Sequence, residues 1–189
     1  MKGPDWFINR ELSWLAFNHR VLQEASHPDN PVIERIRFLG IFSNNLDEFF
    51  RVRVANLQRV ALVGNKTTTT LGFDVKETLA KVSERVIELQ TEYNRAFELA
   101  VSDLAKDNIR FVNEKELNEE QRAFASNYFK RKILTHLVPI MIGKHVAFPD
   151  LLDGSLYLAV GLLLNQKGKT KTQYAILEVP RHVPRFLVL

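Results

Sequence analysis

Cysteine is absent from the 189 residues of this sequence. Disulfide bonds and thiolate metal sites are therefore excluded, and a reducing, cytoplasmic setting is compatible with the composition. Long apolar runs are also absent, because the longest strongly apolar stretch is YLAVGLLL at residues 157–164. A membrane-spanning helix needs roughly 20 apolar residues. The first residues, MKGPDWFINRELSW, lack the continuous apolar segment of a signal peptide, so a cytoplasmic protein is predicted.

Motifs for catalysis are equally scarce. Residues 168–170 read GKT, like the end of a P-loop, but Leu163 occupies the position where that motif has its first glycine. The five histidines form no HExxH motif and no other close pairing with a carboxylate that would indicate a metal site. We therefore assign no catalytic residue and no metal ligand to this chain.

Acidic residues are missing from one stretch, residues 49–73, which holds four basic residues: Arg51, Arg53, Arg59 and Lys66. The rest of the chain balances 22 basic against 22 acidic residues, so the net charge of +4 is confined to that stretch. A local excess of positive charge suits an anionic partner such as a phosphate, a nucleotide, a nucleic acid or a lipid headgroup. A solvated helix face followed by a loop explains the same pattern equally well.

The first 106 residues have the pattern of a small helical bundle. An amphipathic stripe predicts one helix over residues 11–25. Asn30 and Pro31 suit the N-cap and first position of a second helix, and Asp74 with Glu77 suits the start of a long third one. Residues 63–72 have the composition of a loop. The third helix carries an apolar seam at spacings of mostly three and four: Val75, Leu79, Val82, Val86, Leu89, Tyr93, Ala96, Ala100 and Leu104.

The second helical region, from Pro31 towards Leu62, has an expected kink or break near residues 43–46. Four poor interior helix residues lie close together there: Gly40, Ser43, Asn44 and Asn45. Asn45 and Glu48 also fit a capping pair that restarts a helix. Either one would leave backbone groups and the amide side chains of Asn44 and Asn45 free to face a polar group. Phe38, Phe42 and Phe49 share the helical face of Asn45, which suggests a nucleobase site with a stacked ring, although most such stripes are core.

The second half of the sequence is predicted to mix helix and sheet. Residues 109–112 alternate like a short strand, residues 118–137 like a capped helix, and residues 156–165 and 172–179 like a hairpin around 166–169, with a third strand considered at 183–189. The fold class is therefore α+β: a bundle of about three long helices over residues 1–106, followed by the start of a mixed domain over 107–189. The apolar ending RFLVL predicts that this domain continues past residue 189.

Three segments resemble the long, multidomain polyphosphate kinase family of bacteria: INRELSWLAFNHRVLQEA (8–25), NPVIERIRFLGIFSNNLDEFFRVRVANL (30–57) and YAILEVPRHVPRF (174–186). The motifs ELSWL and SNNLDEF recur in that family at the same separation. The resemblance covers essentially the whole chain. It implies that residues 1–106 are a helical N-terminal domain and that residues 107–189 are the truncated start of a head domain.

The resemblance also implies an activity. Family members reversibly transfer the terminal phosphate of ATP to inorganic polyphosphate through a phosphohistidine, with Mg²⁺. The phosphohistidine and the magnesium ligands are expected in C-terminal domains that this chain lacks, so the fragment alone is predicted to be inactive. The implied partners are ATP or ADP, inorganic polyphosphate, those C-terminal catalytic domains and a second copy in a homo-oligomer. No nucleic acid is expected, and at most a peripheral association with the membrane.

Asn45 is the one site residue that the resemblance assigns to this chain, because the second asparagine of SNNLDEF contacts ATP in the family. Its neighbours Leu46, Phe42 and Phe49 are weaker candidates. One alternative is a basic helical module that binds nucleic acid or another polyanion through residues 49–73. Another is a purely structural role, with Asn45 acting as a helix cap.

Overall fold

The computed structural model describes residues 8–63, 74–143, 148–166 and 169–189. Two compact units make up the chain, Met1–Phe111 and Val112–Leu189. The expected division at residues 106 and 107 remains a prediction, and the predicted loop at 63–72 falls almost entirely outside the described residues. Within the described ranges, no helix is both long and apolar enough to cross a membrane.

The first helix of the helical unit, α1, spans Arg10–Ser26. The Asn9 side chain caps it by accepting hydrogen bonds from the backbone N–H groups of Glu11 at 2.9 Å and Leu12 at 3.3 Å. This capping satisfies two of the N–H groups that have no partner inside the helix. The predicted helix over 11–25 is thus confirmed, with one extra residue at each end.

Helix α2 spans Val32–Glu48, and its N-cap is Pro31. The prediction that Asn30 caps this helix is wrong, because the amide group of Asn30 donates instead to the backbone oxygen of Glu24 at 2.8 Å. That oxygen lies in the last turn of α1, where carbonyl groups lack helical partners. Asn30 therefore closes the preceding helix and holds the short turn between α1 and α2.

A break near residues 43–46 is not observed, while the alternative of a kink there stays a prediction. Helix α2 runs without interruption to Glu48, and the irregular turn comes later, as a π-helical segment at Phe49–Val54. Helix α3, Ala55–Val63, follows it directly. Burial explains the continuity, because Leu39 and Phe42 are 2% exposed and anchor the helix in the core. Packing of this kind commonly overrides weak intrinsic propensity.

The long helix α4 spans Val75–Lys106 and supplies one wall of the core. Each residue of its predicted seam is buried or half-buried, so the seam is confirmed as a packing surface. Asp74 is its N-cap, as predicted, and accepts from the N–H groups of Lys76 at 2.8 Å and Glu77 at 3.1 Å. Asn108, with φ of 62°, ends the helix in a left-handed turn in which the Ile109 N–H bonds the Leu104 oxygen.

Replacing Asp74 with alanine is expected to lower the free energy of unfolding by about 1 kcal/mol, because two N–H groups at the start of α4 lose their acceptor. The measurement is urea unfolding of the 189-residue chain. Glu98→Ala, which removes an exposed carboxylate from the middle of the same helix, is the control and should change stability by less than about 0.5 kcal/mol. Equal effects of the two changes would show that the cap adds nothing.

The second unit begins with helix α5, Glu119–Tyr128, in which Asn118 and Gln121 form a reciprocal capping box. A π-helical turn at Phe129–Ile133 and a 3-10 turn at Leu134–His136 continue it. Three antiparallel strands follow in the spatial order β1-β3-β2: β1 at Pro139–Ile142, β2 at Tyr157–Gln166 and β3 at Lys169–Glu178. The predicted hairpin is confirmed, and Thr170 lies in a strand, where it could not serve a P-loop.

Two strand predictions in this half are wrong, although the α+β class is confirmed. Residues 109–112, which the structure describes, form no strand, and the N–H group of Ile109 bonds the Leu104 oxygen in the turn that ends α4. Residues 183–189, also described, are irregular. The third strand is instead β1, which pairs with β3 from Pro139–Leu177 to Ile142–Tyr174. Pro139 made this segment unlike a strand in the sequence, because proline lacks the N–H group that pairs with a neighbouring strand. Proline is nevertheless tolerated at the first position of an edge strand.

Candidate functional site

Asn45 lies inside helix α2, in its last turn, and is half-buried. Its side-chain nitrogen Nδ2 donates to Oδ1 of Asn18 at 3.0 Å. A helix cap would require its oxygen to accept from a backbone N–H group two or three residues further on, and no such bond forms among the described residues. The interpretation of Asn45 as a cap is therefore wrong.

Asn18, the partner of Asn45, was not selected from the sequence. Its side chain is completely buried between α1 and α2, and its Nδ2 donates to the backbone oxygen of Phe42 at 3.1 Å. A signal was available, because Asn18 falls at helical spacing between Leu15 and Leu22 on the apolar stripe of α1. A buried amide costs free energy unless it is hydrogen-bonded, so a polar residue in such a stripe indicates a specific partner.

The oxygen Oδ1 of Asn45 accepts no hydrogen bond from any described residue. No buried side-chain nitrogen or oxygen in the described part of the chain lacks a partner. The Asn45 oxygen is therefore accessible to solvent. The side chain thus has one end fixed to the core and an acceptor atom at the other end, an arrangement that can receive a hydrogen bond from a ligand.

The aromatic residues near Asn45 belong to the core. Phe42 is 2% exposed and stacks on Tyr93 with ring centroids 5.6 Å apart, and Phe49 is 1% exposed and stacks on Trp14 at 4.7 Å. Their rings have no free face for a base, so the structure does not support a stacking role for either of them. The stripe that suggested a base-stacking seat is a packing surface of the bundle.

Two of the four basic residues in the stretch 49–73 pair with carboxylates outside it. Arg51 pairs with Asp47 at 2.8 Å, and Arg53 pairs at 3.1 Å with Glu11, whose side chain is 6% exposed. Arg59 is exposed and forms no ion pair with a described residue, while the remaining base, at position 66, lies outside the described ranges. Two of the four cations therefore serve internal contacts.

The histidines in the described ranges form no metal site, and no cluster of three histidine or acidic side chains occurs there. His19 lies between Arg85, whose guanidinium is 2.9 Å from Nδ1, and Glu92, whose carboxylate is 2.7 Å from Nε2. It joins α1 to α4. His136 and His182 lie edge to face with ring centroids 4.5 Å apart.

Comparison with protein-family models decides the family. The polyphosphate kinase N-terminal domain matches residues 7–112, and the polyphosphate kinase middle domain matches residues 120–189. The chain belongs to the polyphosphate kinase family. Together the two models account for both units of the structure.

Individual relatives agree with that assignment. Polyphosphate kinase of Vibrio vulnificus is 38% identical over 192 residues, a match that covers 100% of this chain and 26% of the relative. Polyphosphate kinase of Halalkalibacterium halodurans is 42% identical over 191 residues, covering 100% and 27%. The crystal structure of polyphosphate kinase from Porphyromonas gingivalis has a TM-score of 0.68 and 32% identity, covering 90% of this chain and 25% of that one. The chain thus spans about a quarter of the polyphosphate kinases that it matches.

Proposed function

We propose that this chain is the N-terminal part of an ATP:polyphosphate phosphotransferase, which reversibly transfers the terminal phosphate of ATP to inorganic polyphosphate. The match of both family models, in order and over nearly the whole chain, supports the proposal. The phosphohistidine of the reaction is placed outside this fragment. The ligands of the Mg²⁺ that the family implies are likewise proposed to lie outside this fragment.

The contribution of this chain is to position the nucleotide through Asn45. Phosphoryl transfer depends mainly on holding the reacting groups in line and on neutralising charge, so a contact to adenosine acts through orientation. The observation that carries this proposal is the accessible Oδ1 of Asn45, an amide oxygen whose side chain is fixed at its other end. Fixing a side chain before the ligand arrives reduces the entropy lost on binding.

Replacing Asn45 with alanine in a full-length polyphosphate kinase that carries this segment is expected to raise the KM for ATP about fivefold, because one hydrogen bond of about 1 kcal/mol is lost. The KM for polyphosphate in the reverse reaction should stay unchanged. Steady-state kinetics with each substrate varied in turn provide the measurement. Stability alone does not separate the explanations, because the change also removes the partner of the buried Asn18 oxygen.

Asn44→Ala is the matched control, since Asn44 is the adjacent asparagine and is exposed. It should leave both KM values unchanged. If Asn45→Ala lowers only the fraction of folded enzyme, with the KM for ATP at its original value, Asn45 is structural and the proposed contact does not exist.

A basic module for nucleic acids finds less support in the structure, because Arg51 and Arg53 are paired with carboxylates. Binding of that kind would weaken steeply with added salt and would not depend on the identity of the base.

Contacts with C-terminal domains, a homo-oligomer, a cytoplasmic location and peripheral membrane association stay predictions, as does the absence of nucleic acid among the partners.

A further inference from the structure

The orientation of the Asn45 amide is dictated by a backbone carbonyl two hydrogen bonds away. The oxygen of Phe42 can only accept, so the group of Asn18 that faces it at 3.1 Å must be the NH₂ group. The oxygen of Asn18 is then directed at Asn45, and the atom of Asn45 that lies 3.0 Å from it must be a donor. Neither amide can be turned over without placing two oxygens, or two NH₂ groups, against each other.

We call these two hydrogen bonds, from Asn45 to Asn18 and from Asn18 to Phe42, the relay. It turns the acceptor oxygen of Asn45 away from Asn18. Asn18 is completely buried and Phe42 is 2% exposed, so water cannot replace the hydrogen bond between them. Groups inside the core therefore fix the orientation of both amides. Phe42 lies within α2, so its carbonyl oxygen also accepts the ordinary helical hydrogen bond from the backbone N–H group four residues further along the chain. The second bond to that oxygen, from Asn18, therefore acts to orient the amide and is not needed to satisfy the backbone.

We infer that Asn18 is a positioning residue, which holds the Asn45 carbonyl oxygen towards the ligand so that the site selects purine nucleotides carrying an amino group on carbon 6. The inference rests on the proposed nucleotide contact at Asn45. An outward acceptor gains a hydrogen bond from the 6-amino group of adenine and none from a purine without that group. A hypoxanthine or guanine ring would present a carbonyl oxygen at the same place and repel it.

The probe for this selectivity is purine riboside triphosphate, which differs from ATP only by lacking the 6-amino group. In a full-length polyphosphate kinase carrying this segment, kcat/KM should be about fivefold higher for ATP than for the probe, as one hydrogen bond of about 1 kcal/mol predicts. Asn18→Leu preserves the approximate side-chain volume and removes both bonds of the relay. It should reduce the preference to about twofold or less, because the Asn45 amide is then free to turn over.

Asn18→Asp is the conservative control. A protonated aspartic acid at this buried position can donate to the Phe42 oxygen through its hydroxyl and accept from Asn45 through its carbonyl oxygen, so the preference for ATP should stay near fivefold even if the protein is less stable. If Asn18→Leu does not fold, Asn18→Ser takes its place, because a serine hydroxyl is too short to reach Asn45. A residue that serves stability alone would change the melting temperature in these variants and leave the ratio of the two kcat/KM values unaltered.

The outcomes separate the inference from the proposed function. A wild-type enzyme that uses ATP and the probe equally well overturns the inference, whichever variants fold. So does an unchanged preference in Asn18→Leu or Asn18→Ser. If Asn45→Ala leaves the KM for ATP unaltered, the nucleotide contact itself is absent. The proposed function is then wrong, and the inference about Asn18 falls with it. In an Asn45→Ala background, Asn18→Leu should have no further effect on the preference.

Discussion

Replacing Phe49 with alanine is expected to lower the free energy of unfolding of the helical unit by about 3–5 kcal/mol, because a large buried ring is lost and a cavity remains. Phe49 is 1% exposed, and its ring stacks on Trp14 with an interplanar angle of 14°. It is the first residue of the π-helical turn at Phe49–Val54, which joins α2 to α3. The neighbouring segments are therefore expected to collapse only partly into the space.

Urea unfolding of the 189-residue chain, followed by tryptophan fluorescence, measures this loss. Both tryptophans of the sequence, at positions 6 and 14, belong to the first unit, so the signal reports on the helical unit. Phe50→Ala is the matched control, since Phe50 follows in the same turn but is 41% exposed. It should cost less than about 1.5 kcal/mol. Equal losses for the two variants would show that Phe49 is not a core residue.

Replacing Arg35 with methionine is expected to cost about 2 kcal/mol. The Arg35 side chain is 8% exposed, donates from Nε to the backbone oxygen of Ala25 at 3.1 Å, and pairs through Nη1 with Asp103 at 2.6 Å. Methionine keeps the apolar stem but leaves the Ala25 oxygen, at the end of α1, without its donor. Asp103 is only partly buried, so water recovers some of the lost interaction and the full cost of a broken buried ion pair is not reached.

Arg37→Met is the matched control, because Arg37 is exposed and pairs with Glu34 on the same helix. Such surface pairs contribute about 0–1 kcal/mol. Through its two contacts Arg35 links α2 to α1 and to α4. A similar loss of stability in the two variants would show that this link does not stabilise the fold. Urea unfolding at neutral pH provides the comparison.

Acid adds a second test of the Arg35 link. Hydrogen bonds from Lys106 and from Arg35 hold the pKa of the Asp103 carboxyl below its ordinary value of 3.8. A carboxyl group with a lower pKa in the folded state stabilises the fold above its ordinary pKa, and that stabilisation disappears as the pH falls through the folded value. The stability lost on moving from neutral pH to below 3.8 should therefore be smaller in Arg35→Met than in the original chain.

The helical half shows why some elements follow from the sequence and others do not. The seam of α4 and the Asp74 cap are local patterns, and local patterns survive because the side chains that satisfy them lie within one or two turns. Asn30 has an equally good local pattern as a cap, yet its amide bonds Glu24 on the preceding helix. The competing partner becomes close only when the chain turns back at residues 27–31, which no local pattern reports.

The candidate site divides in the same way. Asn45 could be selected from the sequence, because two asparagines in a helical segment are unusual and the SNNLDEF motif resembles one family. The prediction that the aromatic residues around it stack a nucleobase is wrong for a physical reason. Helical spacing gives the face on which Phe42 and Phe49 lie but not whether that face meets a ligand or another helix, and α1 and α4 cover it with Trp14 and Tyr93.

The sequence by itself determined the α+β class, the extent of α1 to within one residue at each end, the start and apolar seam of α4, the hairpin of β2 and β3 and the family, since each of these depends on neighbours in the chain or on a motif read in order. Only the tertiary structure decided the continuity of α2, the third strand and the partners of Arg51 and Arg53. It also decided which atom of Asn45 is presented outward. That orientation depends on Asn18 and on a carbonyl of α2, groups that meet only when the helices pack, because an amide has two chemically opposite ends and its sequence position does not distinguish them.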